Sequence, residues 1–182
     1  MNQKNPWSTI EKRVVFRDEW ISVRQDKVTK PDGALGTYTV VELSPAVGVI
    51  ALSDAGKVYL VGQWRYCLER FSWEVPTGMS EVGERALRTA ERELFEETGI
   101  TAKVWIDLGS IDNSNAVTTE VSRLFLARQL SQVEPVSNPN EPLVGKWIEF
   151  ADAVRMVRAS EITDATSVAG LLKAWMYIAD HR

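Results

Sequence analysis

From Gly78 to Ile100 the chain reads GMSEVGERALRTAERELFEETGI, and this stretch restricts the fold more than any other. Glu84, Glu91, Glu93, Glu96 and Glu97 crowd into it, although like charges at helical spacing repel. With about 100° between successive helical residues, Glu96 and Glu97 fall within roughly 60° of Glu93, so the three share one sector. Leu87, Ala90 and Leu94 fill the neighbouring sector, an apolar stripe suited to docking on a sheet. The acidic sector therefore borders the buried edge and does not point straight into bulk water. Carboxylates placed this way need a counter-charge. Arg85, Arg88 and Arg92 are one source, as on any solvated Glu-rich helix. A divalent cation is the other: oxygen donors suit Mg2+ or Mn2+, and no sulfur or imidazole in the segment favours zinc.

The flanking sequence predicts what this helix, about 84–98, packs on. Alternating apolar residues in 13–18, 20–30 and 37–43, broken by Pro-Asp-Gly at 31–33, predict an antiparallel meander. Pro45 marks a border between an N-terminal element, 1–44, and a main domain, 45–182. Segments 46–52 and 57–65 read as a hairpin of buried strands. Further strands are expected at 103–111, 122–129 and 146–150, and helices at 151–160 and 167–180, the last capped by Thr163 or Asp164. Helices interspersed with hairpin-linked strands predict an α/β fold: a mixed sheet sandwiched between helices, preceded by a small antiparallel sheet.

Composition narrows the chemistry. The 182 residues hold 21 basic and 25 acidic side chains, a net charge of -4, which argues against a broad nucleic-acid surface. No window approaches a membrane span, and the first residues lack an apolar signal core, so a soluble cytoplasmic protein is expected. One cysteine, Cys67, fits a reducing compartment. The one histidine, His181, leaves carboxylates, lysine, tyrosine or water as acid–base groups. Core packing is expected for most of the seven tryptophans.

The acidic segment fits the spacing G-x5-E-x7-R-E-U-x-E-E-x-G-U, where U is bulky and apolar. Gly78, Glu84, Arg92, Glu93, Leu94, Glu96, Glu97, Gly99 and Ile100 fill it in order. That spacing is the Nudix box, and the chain resembles a Nudix hydrolase. The resemblance implies an α/β/α sandwich that hydrolyses a nucleoside diphosphate linked to another moiety, with Mg2+ on the helix carboxylates. It assigns Glu93 and Glu97 as metal ligands, Glu96 as a direct or water-mediated one, and Arg92 with Glu84 as the pair orienting the motif. Gly78 would let the backbone turn beside the metal, and Gly99 would end the helix in a left-handed conformation.

Segment 61–78, VGQWRYCLERFSWEVPTG, is similar to the Q-x-R…E-x-P-A-G stretch of the ADP-ribose pyrophosphatase and nucleoside diphosphate sugar hydrolase branch. Gln63, Arg65, Glu74, Pro76 and Gly78 fill it, and Thr77 replaces the alanine. By this resemblance Thr77 offers its carbonyl to a metal and Arg65 grips the substrate diphosphate, with Glu74 beside it; a purely structural Arg65–Glu74 ion pair is the rival reading. Segments 113–127 and 161–172 resemble the same branch, the first keeping Glu120 but lacking its Pro-Gly. The N-terminal strands resemble the sheet through which that branch forms homodimers and completes its partner's pocket. An aromatic there, Trp20 or Tyr38, would stack on the base. The branch draws its general base from the loop before the last strand, where this chain has Glu141; Glu120 is the rival and Glu93 the third candidate. Two other functions stay open: a Nudix enzyme of another nucleotide, and a non-catalytic nucleotide-sugar sensor, against which the complete carboxylate set argues.

Overall fold

The computed structural model describes residues 4–132 and 143–181, so Glu141 lies outside the described residues. The chain divides into two compact units, Met1–Ser44 with Asp112–Glu120, and Pro45–Ile111 with Val121–Arg182.

The first unit is a three-stranded antiparallel sheet in the order β1 (Ser8–Arg17), β2 (Ser22–Thr29), β3 (Leu35–Glu42), the meander expected from the alternating pattern. Asp26 is buried in it and accepts from Arg24 Nε at 2.8 Å; Arg24 also pairs with Glu42. Paired burial of this kind is what makes an interior carboxylate tolerable. Segment 112–120 ties on through the Tyr38 hydroxyl, which donates to the Ala116 carbonyl at 2.8 Å. Strand β1 is an edge, and all ten of its residues are exposed.

The second unit is built around β4 (Ala46–Ala51), whose six residues are all buried. It lies between β7 (Thr77–Met79), antiparallel, and β9 (Val121–Gln132), parallel, with β8 (Ile100–Asp112) beyond β9. Its two faces separate the helices. Val47, Val49 and Ala51 cluster with Ala90 and Leu94 of α1 (Ala86–Thr98). Ile50 clusters with Ala153 and Met156 of α2 (Phe150–Arg158) and with Leu171 and Ala174 of α3 (Ala165–Asp180). A strand apolar on both faces suits this position, between helices on either side. A second sheet holds β10 (Val144–Glu149), β5 (Lys57–Arg65) and β6 (Arg70–Glu74) in that order, all antiparallel. The α/β class with a mixed sheet and a small antiparallel sheet is as the sequence led us to expect.

Some expectations need correction. Segments 46–52 and 57–65 do not form a hairpin: beyond one bridge, Leu52 to Val58, the two strands sit in different sheets. Strands β7 and β9 occupy both edges of β4, so β5 pairs with β6 and β10 instead. Nor do the tryptophans fill the core. Trp7, Trp20, Trp64 and Trp175 are exposed, while Trp73, Trp105 and Trp147 sit half-buried at cluster margins. Their size and polar indole N–H favour such edges over full burial. No described helix is long and apolar enough to cross a membrane.

Candidate active site

Helix α1 starts at Ala86, two residues later than the pattern suggested, which leaves Glu84 in the preceding loop. From there Glu84 meets Arg92 one and a half turns into the helix. Arg92 is the hub. Its Nε donates to Glu84 Oε1 at 3.2 Å, and Nη2 donates to Glu84 Oε2 at 2.9 Å and to the Met79 carbonyl at 3.1 Å. Its Nη1 donates to Glu93 Oε1 at 2.7 Å and to Glu96 Oε2 at 3.2 Å. A guanidinium has five N–H donors, and each has an acceptor here. Saturated in this way, Arg92 fixes carboxylates and has no donor left for a ligand.

Glu84 is held from its other side as well, accepting from the Glu81 N–H at 3.1 Å and the Thr89 hydroxyl at 3.0 Å. The bonds from Arg92 and then from Glu81 pull its pKa down to about 2. Glu93 shifts the opposite way. Only 14% of its side chain is exposed, and burial pushes its pKa up against the pull of Arg92. Its carboxylate lies against Gly78, on strand β7, in the space that a Cβ at that position would fill. The glycine thus permits a close approach within an extended strand, where the sequence suggested a turn. Gly99 caps α1 with φ 67°, left-handed as expected, and its N–H bonds to the Phe95 carbonyl. Glu97 accepts from the Thr77 N–H at 3.1 Å, joining the helix to β7. Glu96 is more open, with 56% of its side chain exposed.

Glu93 and Glu96 are brought together on Arg92, while Glu97 bonds to the Thr77 N–H of β7. Among the described residues no three acidic, cysteine or histidine side chains are grouped closely enough to hold a metal ion by themselves. Two of the carboxylates turn toward Arg92, which supplies part of the counter-charge that crowding demands. It supplies only part: one guanidinium faces the carboxylates of Glu84, Glu93 and Glu96, so negative charge remains in excess. That excess, presented by oxygen donors alone, fits a hard divalent cation.

Beside this edge, Arg65 at the end of β5 forms a two-pronged pair with buried Glu74 of β6; Nε to Oε1 measures 2.9 Å and Nη2 bonds to Oε2. Among the described residues its Nη1 has no hydrogen-bond acceptor. Glu97 and Asp164 lie close enough to add to the field at Arg65. The ion pair of the rival reading forms, and it leaves one edge of the fork open. Arg65 and Glu74 line an open cleft of about 670 Å³ together with Arg70, Ser72, Thr163 and Asp164. Asp164 caps α3, accepting from the Ser167 N–H at 2.8 Å. Trp20, 63% exposed, and Glu120 belong to the first unit. Tyr38, the other stacking candidate, spends its hydroxyl on Ala116 and meets Trp7 edge-on. Sequence reasoning missed the Met79 carbonyl and Thr89, because a backbone acceptor and an inward threonine leave no pattern. Arg70 was missed too; only strand register reveals it.

Comparison with known proteins speaks to the family and the fold. The NUDIX domain model matches residues 42–169, and the nucleoside diphosphate sugar hydrolase N-terminal domain model matches residues 7–41. An ADP-ribose pyrophosphatase of Mycobacterium tuberculosis (strain ATCC 25618 / H37Rv) is 33% identical over 172 residues, covering 93% of this chain and 83% of its own. An ADP-ribose pyrophosphatase of Bacillus subtilis (strain 168) is 35% identical over 86% of each chain. A crystal structure of an ADP compounds hydrolase superposes with a TM-score of 0.87 over 100% of this chain and 98% of its own; at 17% identity it supports the fold.

Proposed function

Since the chain belongs to the NUDIX domain family and is a pyrophosphohydrolase, we propose that it cleaves the diphosphate linkage of nucleoside diphosphate sugars, ADP-ribose foremost. ADP-glucose and GDP-mannose are further members of the class. Water adds across the P–O–P bridge, giving a nucleoside monophosphate and a sugar phosphate. The observation that carries this reading is the Arg92 network, which sets Glu84, Glu93 and Glu96 along one edge beside a cleft with an arginine fork. The names of the two pyrophosphatase relatives support the substrate class.

Members of the family use divalent metal ions. In our reading the ion is Mg2+, with Mn2+ as substitute, and Glu93, Glu96, Glu97 and the Thr77 carbonyl would hold it. When bound, such an ion neutralises diphosphate charge and makes water more acidic. The chain's own groups do the rest. Arg65, steadied by Glu74, presents its open Nη1 edge to the diphosphate, the planar charged contact at which arginine excels. Arg92 and Glu84 position Glu93 and do not touch substrate. A carboxylate takes the proton of the attacking water; Glu141, Glu120 and Glu93 are the candidates. Single Gln substitutions rank them, since loss of the base lowers turnover while substrate still binds. Trp20 is the candidate stacking residue for the base. We also propose a homodimer through the exposed edge strand β1, because unpaired edges invite pairing; light scattering that finds only monomer at assay concentrations rejects it.

The deciding experiment is turnover on nucleoside diphosphate sugars and on nucleoside triphosphates with Mg2+, reading the monophosphate released. Preference for the sugars is expected. Preference for triphosphates overturns the substrate assignment.

A further inference from the structure

Strands β5 and β6 pair so that Arg65 stands directly opposite Arg70. Like charges facing each other across an antiparallel pair destabilise a sheet. The turn between them adds strain, since Glu69 sits at φ 50°, a left-handed conformation that a non-glycine residue adopts at some cost. Both arginines line the same cleft. Their surroundings differ. Arg65 is neutralised by Glu74, whereas Arg70 donates from Nη2 to the neutral Thr163 hydroxyl at 2.8 Å and has no carboxylate partner among the described residues. The other acid of the cleft, Asp164, is engaged at the start of α3, where its Oδ2 accepts from the N–H and the hydroxyl of Ser167, both at 2.8 Å. A guanidinium on a concave surface, facing an arginine that already has its own carboxylate and hydrogen-bonded among the described residues only to a hydroxyl, is arranged for an anion that arrives from outside.

We infer that Arg70 is a second substrate contact, binding a phosphate oxygen of the diphosphate that Arg65 grips. Arg70 exchanges its bond to Thr163 for charge-assisted bonds to phosphate, which are shorter and stronger than bonds to a neutral acceptor. Two arginines set across one strand pair then span the linkage, and substrates lacking a second phosphate lose one of the two contacts. This rests on the substrate class proposed above, and the test separates the two.

In the full-length protein, Arg70→Ala, Arg70→Gln and Arg70→Lys are compared with wild type for turnover of ADP-ribose with Mg2+, and for calorimetric binding of inorganic pyrophosphate without divalent metal at two ionic strengths. For Arg70→Ala and Arg70→Gln, KM is expected to rise about tenfold, the size typical of a lost hydrogen bond to a charged group, with kcat changing less than about threefold. Pyrophosphate affinity should fall by a similar factor and lose part of its salt dependence, and Arg70→Lys should lie between. KM and pyrophosphate affinity within twofold of wild type in both neutral variants overturn the inference. So does loss of kcat or thermal stability with pyrophosphate affinity unchanged, which is the pattern of a purely structural arginine, and so does absence of pyrophosphate binding to wild type. If wild type turns over no nucleotide sugar, the functional reading fails, while the pyrophosphate titration still decides Arg70.

Discussion

Glu93 rests its carboxylate against the α-carbon of Gly78, in the volume that any larger residue would need for its Cβ. Position 78 therefore sets where a helix carboxylate ends up. Gly78→Ala has to push Glu93 aside and disturb its 2.7 Å bond to Arg92. We expect about a 100-fold fall in kcat/KM, the scale of an ångström-sized misplacement. The overpacking costs about 1–3 kcal/mol in denaturant unfolding. A fully active variant would show that Glu93 has room to spare.

Arg92 meets five acceptors with five donors, and lysine cannot copy that. An ammonium has three donors and no planar fork. Arg92→Lys is expected to keep the fold, lose about 1–3 kcal/mol in urea unfolding and reduce kcat about tenfold, since bonds to charged groups are the stronger ones. Equal stability of the two proteins would mean the network contributes nothing.

Glu84 gives the network a pH signature. Its pKa, held near 2 by Arg92 and the Glu81 N–H, lies below the ordinary 4.5, so folding favours the ionised form. Its contribution is complete above about pH 4.5, shrinks as pH falls toward about 2 and is absent below that. Glu84→Gln should thus melt lower than wild type at pH 7, with the gap closing by about pH 2. Parallel melting curves across that range, in chelator-treated protein, would contradict the assignment.

For Glu93 the sign reverses. Burial, outweighing Arg92, raises its pKa, so ionisation is disfavoured in the folded chain and stability is lost as pH rises through the folded pKa. In chelator-treated protein at pH 7, Glu93→Gln is expected to melt about 2 °C higher, a shift typical of a fraction of a kcal/mol in a chain this size. The same variant should lose turnover, and a lower melting point would show that the Arg92 pair dominates.

What the sequence revealed and what it hid divide along a physical line. The Arg92–Glu84 pair and the Gly99 cap were legible through the resemblance to the Nudix box, and the shared sector of Glu93, Glu96 and Glu97 because spacing within one helix fixes which side chains lie together. Ala90 and Leu94 were legible as core for the same reason, and both are fully buried. The partners of β4 were not. AVGVIA announces burial on both faces but not that β9 arrives from some seventy residues away to pair with Ala46–Ala51. Strands β6 and β7, five and three residues long, are too short for a period to show. The Thr77 N–H and the Met79 carbonyl act through the backbone, which is the same whatever side chain is written there. Arg70 reads as one more surface charge until register sets it opposite Arg65.

Glu97 offers the sharpest separation of fold from chemistry. Its Oε2 accepts from the Thr77 N–H at 3.1 Å, a bond that a glutamine oxygen can accept equally well. Glu97→Gln should therefore keep α1 docked on β7, with a melting temperature within about 2 °C of wild type, as expected when less than a kcal/mol is lost. What it removes is charge from the edge proposed to hold a divalent cation through anionic oxygens. Turnover should fall by on the order of 100-fold or more, beyond the range typical of groups that only support a ligand. Manganese affinity, read by electron paramagnetic resonance, should weaken in parallel. If the variant instead retains wild-type turnover and binds manganese as tightly, the cation sits elsewhere, and Glu97 is a structural tie between helix and strand.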